Sequence, residues 1–151
     1  MKSVVVDASV AAKWILPNVD EPFYQEALRL ADLFTAGRLE FIVPDLFWIE
    51  MGSVLWKAKR SNRISSREFE ESLAILHSRE FKSAPAKPLL TRSLSIAVEF
   101  NRSVYDGAYI ALAEANSTVM ITADEKLANA VSSKLPVVWL GSDSALSSRQ
   151  I

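Results

Sequence analysis

Lys2-Ser3-Val4-Val5-Val6-Asp7-Ala8-Ser9-Val10 is the stretch whose reading decides the fold. The run Val4–Val6 is apolar and β-branched, and it is too short for a buried helix, so it reads as a strand. It does not alternate with polar residues, which suits a parallel strand covered on both faces. Phe41–Val43, Val119–Ile121 and Val137–Leu140 read the same way.

Helical patterns fill the intervals. Glu21 to Ala36 carries Phe23, Ala27, Leu30, Ala31 and Phe34 at helical spacing, and Gly37 stops it. Asp45 to Arg60 follows Pro44. Ser65-Ser66-Arg67-Glu68 is a capping box that opens a helix through about Arg79. Pro88 to Phe100, Asp106 to Asn116 and Asp124 to Lys134 complete the set, the last ending before Pro136. The serine-rich tail from Gly141 is expected to fray. Strands alternating with helices predict an α/β domain with a parallel sheet and right-handed crossovers. The surplus of helix between the second and third strands reads as a helical insertion. No repeat or linker composition divides the chain, so residues 1–151 are expected to form a single domain.

Composition narrows the chemistry. Half of the residues are hydrophobic and 23% are charged, an ordinary globular balance. There is no cysteine, which excludes disulfides, thiolate zinc and thiol nucleophiles. The single histidine, His77, excludes a multi-histidine metal site. Any metal would be held by oxygen, which favours Mg²⁺ or Mn²⁺. Val4–Val6 is too short for a signal peptide, and no run approaches the roughly 20 apolar residues that span a bilayer. A cytoplasmic protein with no membrane partner is the expectation. A net charge of −1 neither announces a nucleic-acid partner nor excludes one.

Four acids stand where acids are costly unless they share a cation. Asp7 closes the first strand. Glu50 interrupts the apolar stripe of a helix, with Leu46, Phe47 and Val54 as helical neighbours. Asp106 opens the helix that leads into the third strand. Asp124 follows the run Val119-Met120-Ile121-Thr122 by one residue. In a parallel sheet, ligands bind beyond the carboxyl ends of the strands, and all four acids start from that edge. Crowded carboxylates repel, and their charged forms survive best around a divalent ion. Each also has a plainer reading. Asp7, Asp106 and Asp124 suit helix starts, where an acid is worth roughly 0.3–1 kcal/mol. Ser103-Val104-Tyr105-Asp106 and Thr122-Ala123-Asp124-Glu125 resemble capping boxes. Glu50 has a structural ion pair to an arginine as its alternative, because an unpaired buried carboxylate costs several kcal/mol or takes up a proton.

Val5-Val6-Asp7-Ala8-Ser9-Val10, Ile49-Glu50-Met51-Gly52-Ser53-Val54-Leu55, Tyr105-Asp106-Gly107-Ala108-Tyr109-Ile110-Ala111-Leu112-Ala113 and Ile121-Thr122-Ala123-Asp124 together resemble the PIN domain family. The length of the chain is similar to that of VapC-type toxin ribonucleases. The resemblance implies a three-layer α/β/α fold with a short central parallel sheet of four to five strands. It also implies a metal-dependent endoribonuclease of a toxin–antitoxin pair. Asp7, Glu50, Asp106 and Asp124 would hold Mg²⁺ or Mn²⁺, and Ser9 and Thr122 match positions where a hydroxyl supports the site. RNA, a small antitoxin protein and a second copy in a homodimer are the implied partners.

Three rival readings stay open on the sequence alone. A phosphatase using Asp7 as nucleophile, as in haloacid-dehalogenase-like enzymes, needs a second acid two residues on, where this chain has Ser9. A stand-alone RNA-processing nuclease would use the same acids without an antitoxin. A non-catalytic binding module would use them only as caps. Lys57, Lys59, Arg60, Arg63 and Arg67 form a basic cluster that reads either as a phosphate track or as a solvated helix end. Lys13 is a further candidate for a phosphate contact. His77 reads as a surface or packing residue. Trp14, Trp48 and Trp56 read as core, or as an aromatic surface for a partner together with Phe23 and Tyr24.

Overall fold

The structure, a computed structural model, describes residues 2–17 and 21–142. The expected fraying beyond Ser142 and part of the segment between Pro17 and Pro22 lie outside the described residues. In chain order the elements are β1 (Lys2–Val6), α1 (Ala8–Ile15), α2 (Tyr24–Thr35), β2 (Leu39–Pro44), α3 (Leu46–Arg60), α4 (Ser66–His77) and β3 (Lys82–Ala84). A 3₁₀ turn at Lys87–Leu89 leads into α5 (Leu90–Phe100), then α6 (Val104–Ala115), β4 (Met120–Thr122), α7 (Glu125–Val131) and β5 (Val137–Trp139).

The five strands form one parallel sheet in the order β3-β2-β1-β4-β5. Val4, Val5 and Val6 are all fully buried. Successive strand residues point to opposite faces, so helices cover both sides, as the unbroken apolar run required. All four expected strands are present. The fifth, β3, has no signal in the sequence. Lys82-Ser83-Ala84 carries no apolar run and sits at the sheet edge with its first two residues exposed. Chain order and spatial order part company between β1 and β4, and that switch point is where a doubly wound sheet leaves a crevice at its carboxyl edge.

The core gathers around this sheet. Phe41 stacks on Trp14 and Phe34 at 4.8 and 5.0 Å, with Phe81 edge-on to both Phe41 and Phe34. Trp14 is therefore a core residue, and its Nε1 donates to the Ala27 carbonyl at 2.6 Å. Trp56 is not: it is 54% exposed, with the Arg60 guanidinium over its ring. The capping box of α4 forms as expected, Ser65 accepting from the Glu68 amide and Glu68 from the Ser65 amide. The helix α6 is buried from Gly107 through Ala113 and packs on β1, β2 and β4. It begins two residues earlier than the sequence suggested, because Ser103 caps it by accepting from the Asp106 amide at 3.0 Å.

Close approach of α5 and α6 explains Gly107. A β-carbon there would lie 2.3 Å from the Ser93 carbonyl oxygen, a backbone atom that cannot swing aside. Gly107→Ala is expected to destabilise by about 1–3 kcal/mol through overpacking. For a chain of this size that is a loss of roughly 3–10 °C in melting temperature, read by thermal unfolding in EDTA. An unchanged melting temperature would show that the helices part freely at this point.

Candidate active site

Asp7 is the first residue beyond β1, and its neighbours come from two elements. It caps α1, its Oδ1 accepting from the amides of Ser9 and Val10 at 3.1 and 3.3 Å. The Ser9 hydroxyl donates to the same oxygen at 2.5 Å. From the end of β4, the Thr122 hydroxyl donates to Asp7 Oδ2 at 2.6 Å. Ser9 Oγ in turn accepts from the Ala123 amide, and Thr122 Oγ1 from the Asp124 amide. This knot ties β1 to β4 at the switch point and locks the Asp7 carboxylate in one orientation. The capping role and the site role of Asp7 are thus one geometry. Asp124 caps α7, accepting from the Leu127 amide at 3.0 Å. Thr122, expected as the cap of that helix, ends the strand and braces Asp7 instead.

Glu50 sits in the second turn of α3, half-buried. Its face differs from the one expected. Phe47, Met51, Leu55 and Ala58 make the core side of α3, whereas Leu46 and Val54 flank Glu50 along an open groove of about 690 Å³. Ser53 and Lys57 continue that wall on α3, and Ser103, Tyr105 and Asp106 form the facing wall at the start of α6. No arginine or lysine pairs with Glu50 among the described residues. Its Oε2 accepts from the Tyr109 hydroxyl at 3.3 Å, and its Oε1 is buried without a hydrogen-bond partner. The structural ion pair is thereby removed as an explanation of this acid.

Fields link the acids. Burial raises the Asp7 pKa above the usual carboxylate range; the bonds from Ser9, Thr122 and Val10 oppose the rise, and the charge of Asp106 adds to it. Burial also lifts Glu50, to about 7; the Tyr109 bond works against this, and the charges of Asp7 and Asp106 support it. Asp106 is raised by burial and by Asp124, against the favourable bonds from Ser103 and the charge of Arg102. Asp7, Glu50 and Asp106 therefore sense one another, while Asp124 is coupled through Asp106. The coupling is electrostatic rather than by contact. As the side chains are placed, no three Asp, Glu, His or Cys groups among the described residues gather tightly enough to hold an ion.

The donor set still fits a hard divalent cation. It is all oxygen, it includes a buried carboxylate oxygen with no partner, and burial, with the charges of neighbouring acids adding to it, raises the pKa values of Asp7 and Glu50. Of the basic residues, Arg102 opposes the rise of Asp106, and those expected from the sequence to meet phosphate are mostly engaged elsewhere. Lys13 is buried and bonded to Glu21 at 2.8 Å, so the expected phosphate contact gives way to an internal ion pair. Arg63 also reaches Glu21, Arg67 pairs with Glu71, Lys59 donates to Ser66, and Arg60 covers Trp56. Of the basic cluster, Lys57 is the member that lines the groove. His77 is exposed on α4.

The PIN domain family model matches residues 4–132, from the first strand through the last helix. The chain belongs to the PIN domain family. Among curated PIN relatives, a VapC ribonuclease of Mycobacterium bovis is 28% identical over 134 residues, covering 89% of this chain and 95% of that protein. Ribonuclease VapC3 of Pyrobaculum aerophilum is 28% identical over 127 residues, covering 83% and 92%. Among solved structures, a Pyrobaculum aerophilum protein superposes with a TM-score of 0.61 at 25% identity, covering 91% of this chain and 83% of the other. VapC20 of Mycobacterium tuberculosis, a toxin that cleaves the sarcin–ricin loop, gives 0.61 at 17% identity, with 85% and 95% covered. The three-layer PIN fold with its parallel five-stranded sheet is the fold seen here. No helix among the described residues is long and apolar enough to cross a membrane.

One participant escapes a reading of the sequence. Tyr109 lies within the Asp106 motif, three residues on, but a tyrosine in an apolar helix looks like core packing. Its hydroxyl acquires meaning only when α6 is laid against α3, fifty-nine positions away in sequence.

Proposed function

We propose that this PIN protein is a VapC-type toxin: an Mg²⁺- or Mn²⁺-dependent endoribonuclease of the cytoplasm, restrained by a small antitoxin. The observation that carries the reading is the unpartnered, buried Glu50 oxygen, on a carboxylate that feels the charges of the locked Asp7 and of Asp106. Asp7, Glu50, Asp106 and Asp124 would hold the ion, with Ser9 and Thr122 fixing the orientation of Asp7. A divalent ion bound there supplies Lewis-acid polarisation of the phosphate and activation of water.

The chain's own residues do the rest. The groove between α3 and α6 admits a strand of RNA beside the acids. The Lys57 ammonium on its wall faces the backbone charge of that strand. No side chain here is required to form a covalent intermediate, and His77, exposed on α4, takes no part.

A second copy is the further expected partner. Of the aromatic surface suggested by Trp14, Phe23, Tyr24 and Trp56 in the sequence, Phe23 packs against Trp139 and Trp14 against Phe41, while Trp56 stays exposed. Exposed apolar side chains include Leu90, Leu94 and Val98 at four-residue spacing on α5, Ile49 and Trp56 on α3, and Val104 and Tyr105 at the start of α6. A clean monomer by light scattering at tens of micromolar would remove the homodimer.

Purified protein is expected to cut single-stranded or looped RNA in Mn²⁺ or Mg²⁺ and to stop in EDTA. Co-expression with the product of a small neighbouring reading frame is expected to suppress that activity. Cleavage that persists in EDTA would overturn the metal-dependent reading. Cleavage that no small neighbouring protein restrains would favour a stand-alone processing nuclease.

A further inference from the structure

We propose that Tyr109 is a positioning residue of the metal site, its phenol holding Glu50 by Oε2 so that Oε1 is the oxygen offered to the cation. The inference rests on the metal-dependent reading above and goes beyond it by assigning a role to a residue that carries no charge.

Tyr109 is 2% exposed, on the part of α6 that packs against the sheet. A phenol buried this deeply needs an acceptor, and Glu50 Oε2 is its acceptor at 3.3 Å. A tyrosine phenol carries its proton at neutral pH, so it is the donor and the carboxylate the acceptor. One helix therefore serves two acids. Through its first turn α6 carries Asp106 directly, and one turn later it steers Glu50, which belongs to α3.

The steering is needed because Glu50 borders the groove of about 690 Å³. A glutamate has three rotatable bonds, and an open groove beside it offers the charged end better solvation than its present half-buried place. What opposes that escape is the hydroxyl. A carboxylate with one oxygen bonded and the other buried and bare is a poor arrangement alone and a good one beside a cation. Packing does not need the oxygen, since phenylalanine fills the same volume.

Mn²⁺ binding, read as loss of the free-ion signal in electron paramagnetic resonance, tests this with the full-length chain. Tyr109→Phe is expected to weaken Mn²⁺ binding about tenfold or more, the usual effect of removing a partner that orients a ligand. In a Glu50→Gln background the same change is expected to do nothing further, because the hydroxyl acts through that carboxylate. Raising Mn²⁺ is expected to restore RNA cleavage by Tyr109→Phe with little change in KM for RNA. Glu50→Asp, whose carboxylate is drawn back from the phenol, is expected to mimic the loss. It keeps the test alive if the phenylalanine variant folds poorly. Parental Mn²⁺ affinity in Tyr109→Phe overturns the inference and leaves the metal site standing. An equal loss in both backgrounds overturns it too, by making the hydroxyl a general support of the fold. A parent that shows no saturable Mn²⁺ binding overturns the metal reading and the inference with it.

Discussion

Asp7→Asn is expected to lower RNA cleavage by about 100-fold or more while leaving the protein folded. Asparagine keeps the shape and can still accept from the Ser9 and Val10 amides that cap α1. The Thr122 hydroxyl, which now donates to Oδ2, can turn and accept from the new amide. What is lost is one negative charge at the centre of the acidic field. Initial rates on a labelled single-stranded RNA in Mn²⁺, with unfolding curves in EDTA, measure the two properties separately. The variant should melt no lower than the parent, because burial and Asp106 already disfavour the Asp7 charge. Adding Asp124→Asn should then remove much less than it does alone, since groups that act as a unit are not additive. An Asp7→Asn protein that cuts RNA at the parental rate, free of contaminating nuclease, would sink the mechanism.

Much of the fold is legible in the amino-acid order. Val4–Val6, Phe41–Val43, Val119–Ile121 and Val137–Leu140 announce strands because a parallel strand is buried on both faces and must be apolar throughout. The same rule hides β3, whose Lys82-Ser83-Ala84 lies at an edge and needs no such run. The strand order is not legible, because alternating strands and helices are compatible with several ways of winding, and the switch between β1 and β4 is a tertiary choice. Among the acids, the positions of Asp7 and Asp124 follow from strand ends alone. Glu50 is an anomaly on an apolar face, as its helical neighbours suggest, but that face is the border of the core and not its interior. Helical periodicity places it beside Leu46 and Val54, and those side chains pack against the core on one side and line a groove on the other. Lys13 shows the converse limit. Nearness in sequence to Asp7 suggests a phosphate contact, yet its burial is satisfied by Glu21, eight residues on.

The second large effect concerns Glu50 without metal. Its folded-state pKa is about 7 against an ordinary 4.5. A raised pKa means that the folded protein holds this proton more tightly than the unfolded chain does. The resulting stability is fully present below about pH 4.5 and is lost as pH rises through about 7. At roughly 1.4 kcal/mol per unit the shift is an upper bound near 3 kcal/mol, and solvent around a half-buried side chain brings it to about 1–2. In EDTA the parent is therefore expected to melt several degrees lower at pH 8 than at pH 5. Asp7 and Asp106, also raised, push in the same direction. Glu50→Gln should flatten this dependence and melt above the parent at pH 8, where the parent carries the charge, and close to it at pH 5. Mn²⁺ should reverse the ranking. A ligand that binds only the folded state adds stability in proportion to the logarithm of its saturation, and the parent keeps the carboxylate that the glutamine variant lacks. Melting curves of both proteins at both pH values, with EDTA and with millimolar Mn²⁺, make the comparison. If the glutamine variant melts below the parent in EDTA at pH 8, the Glu50 charge is not strained, and the case that these acids await a cation loses its energetic basis.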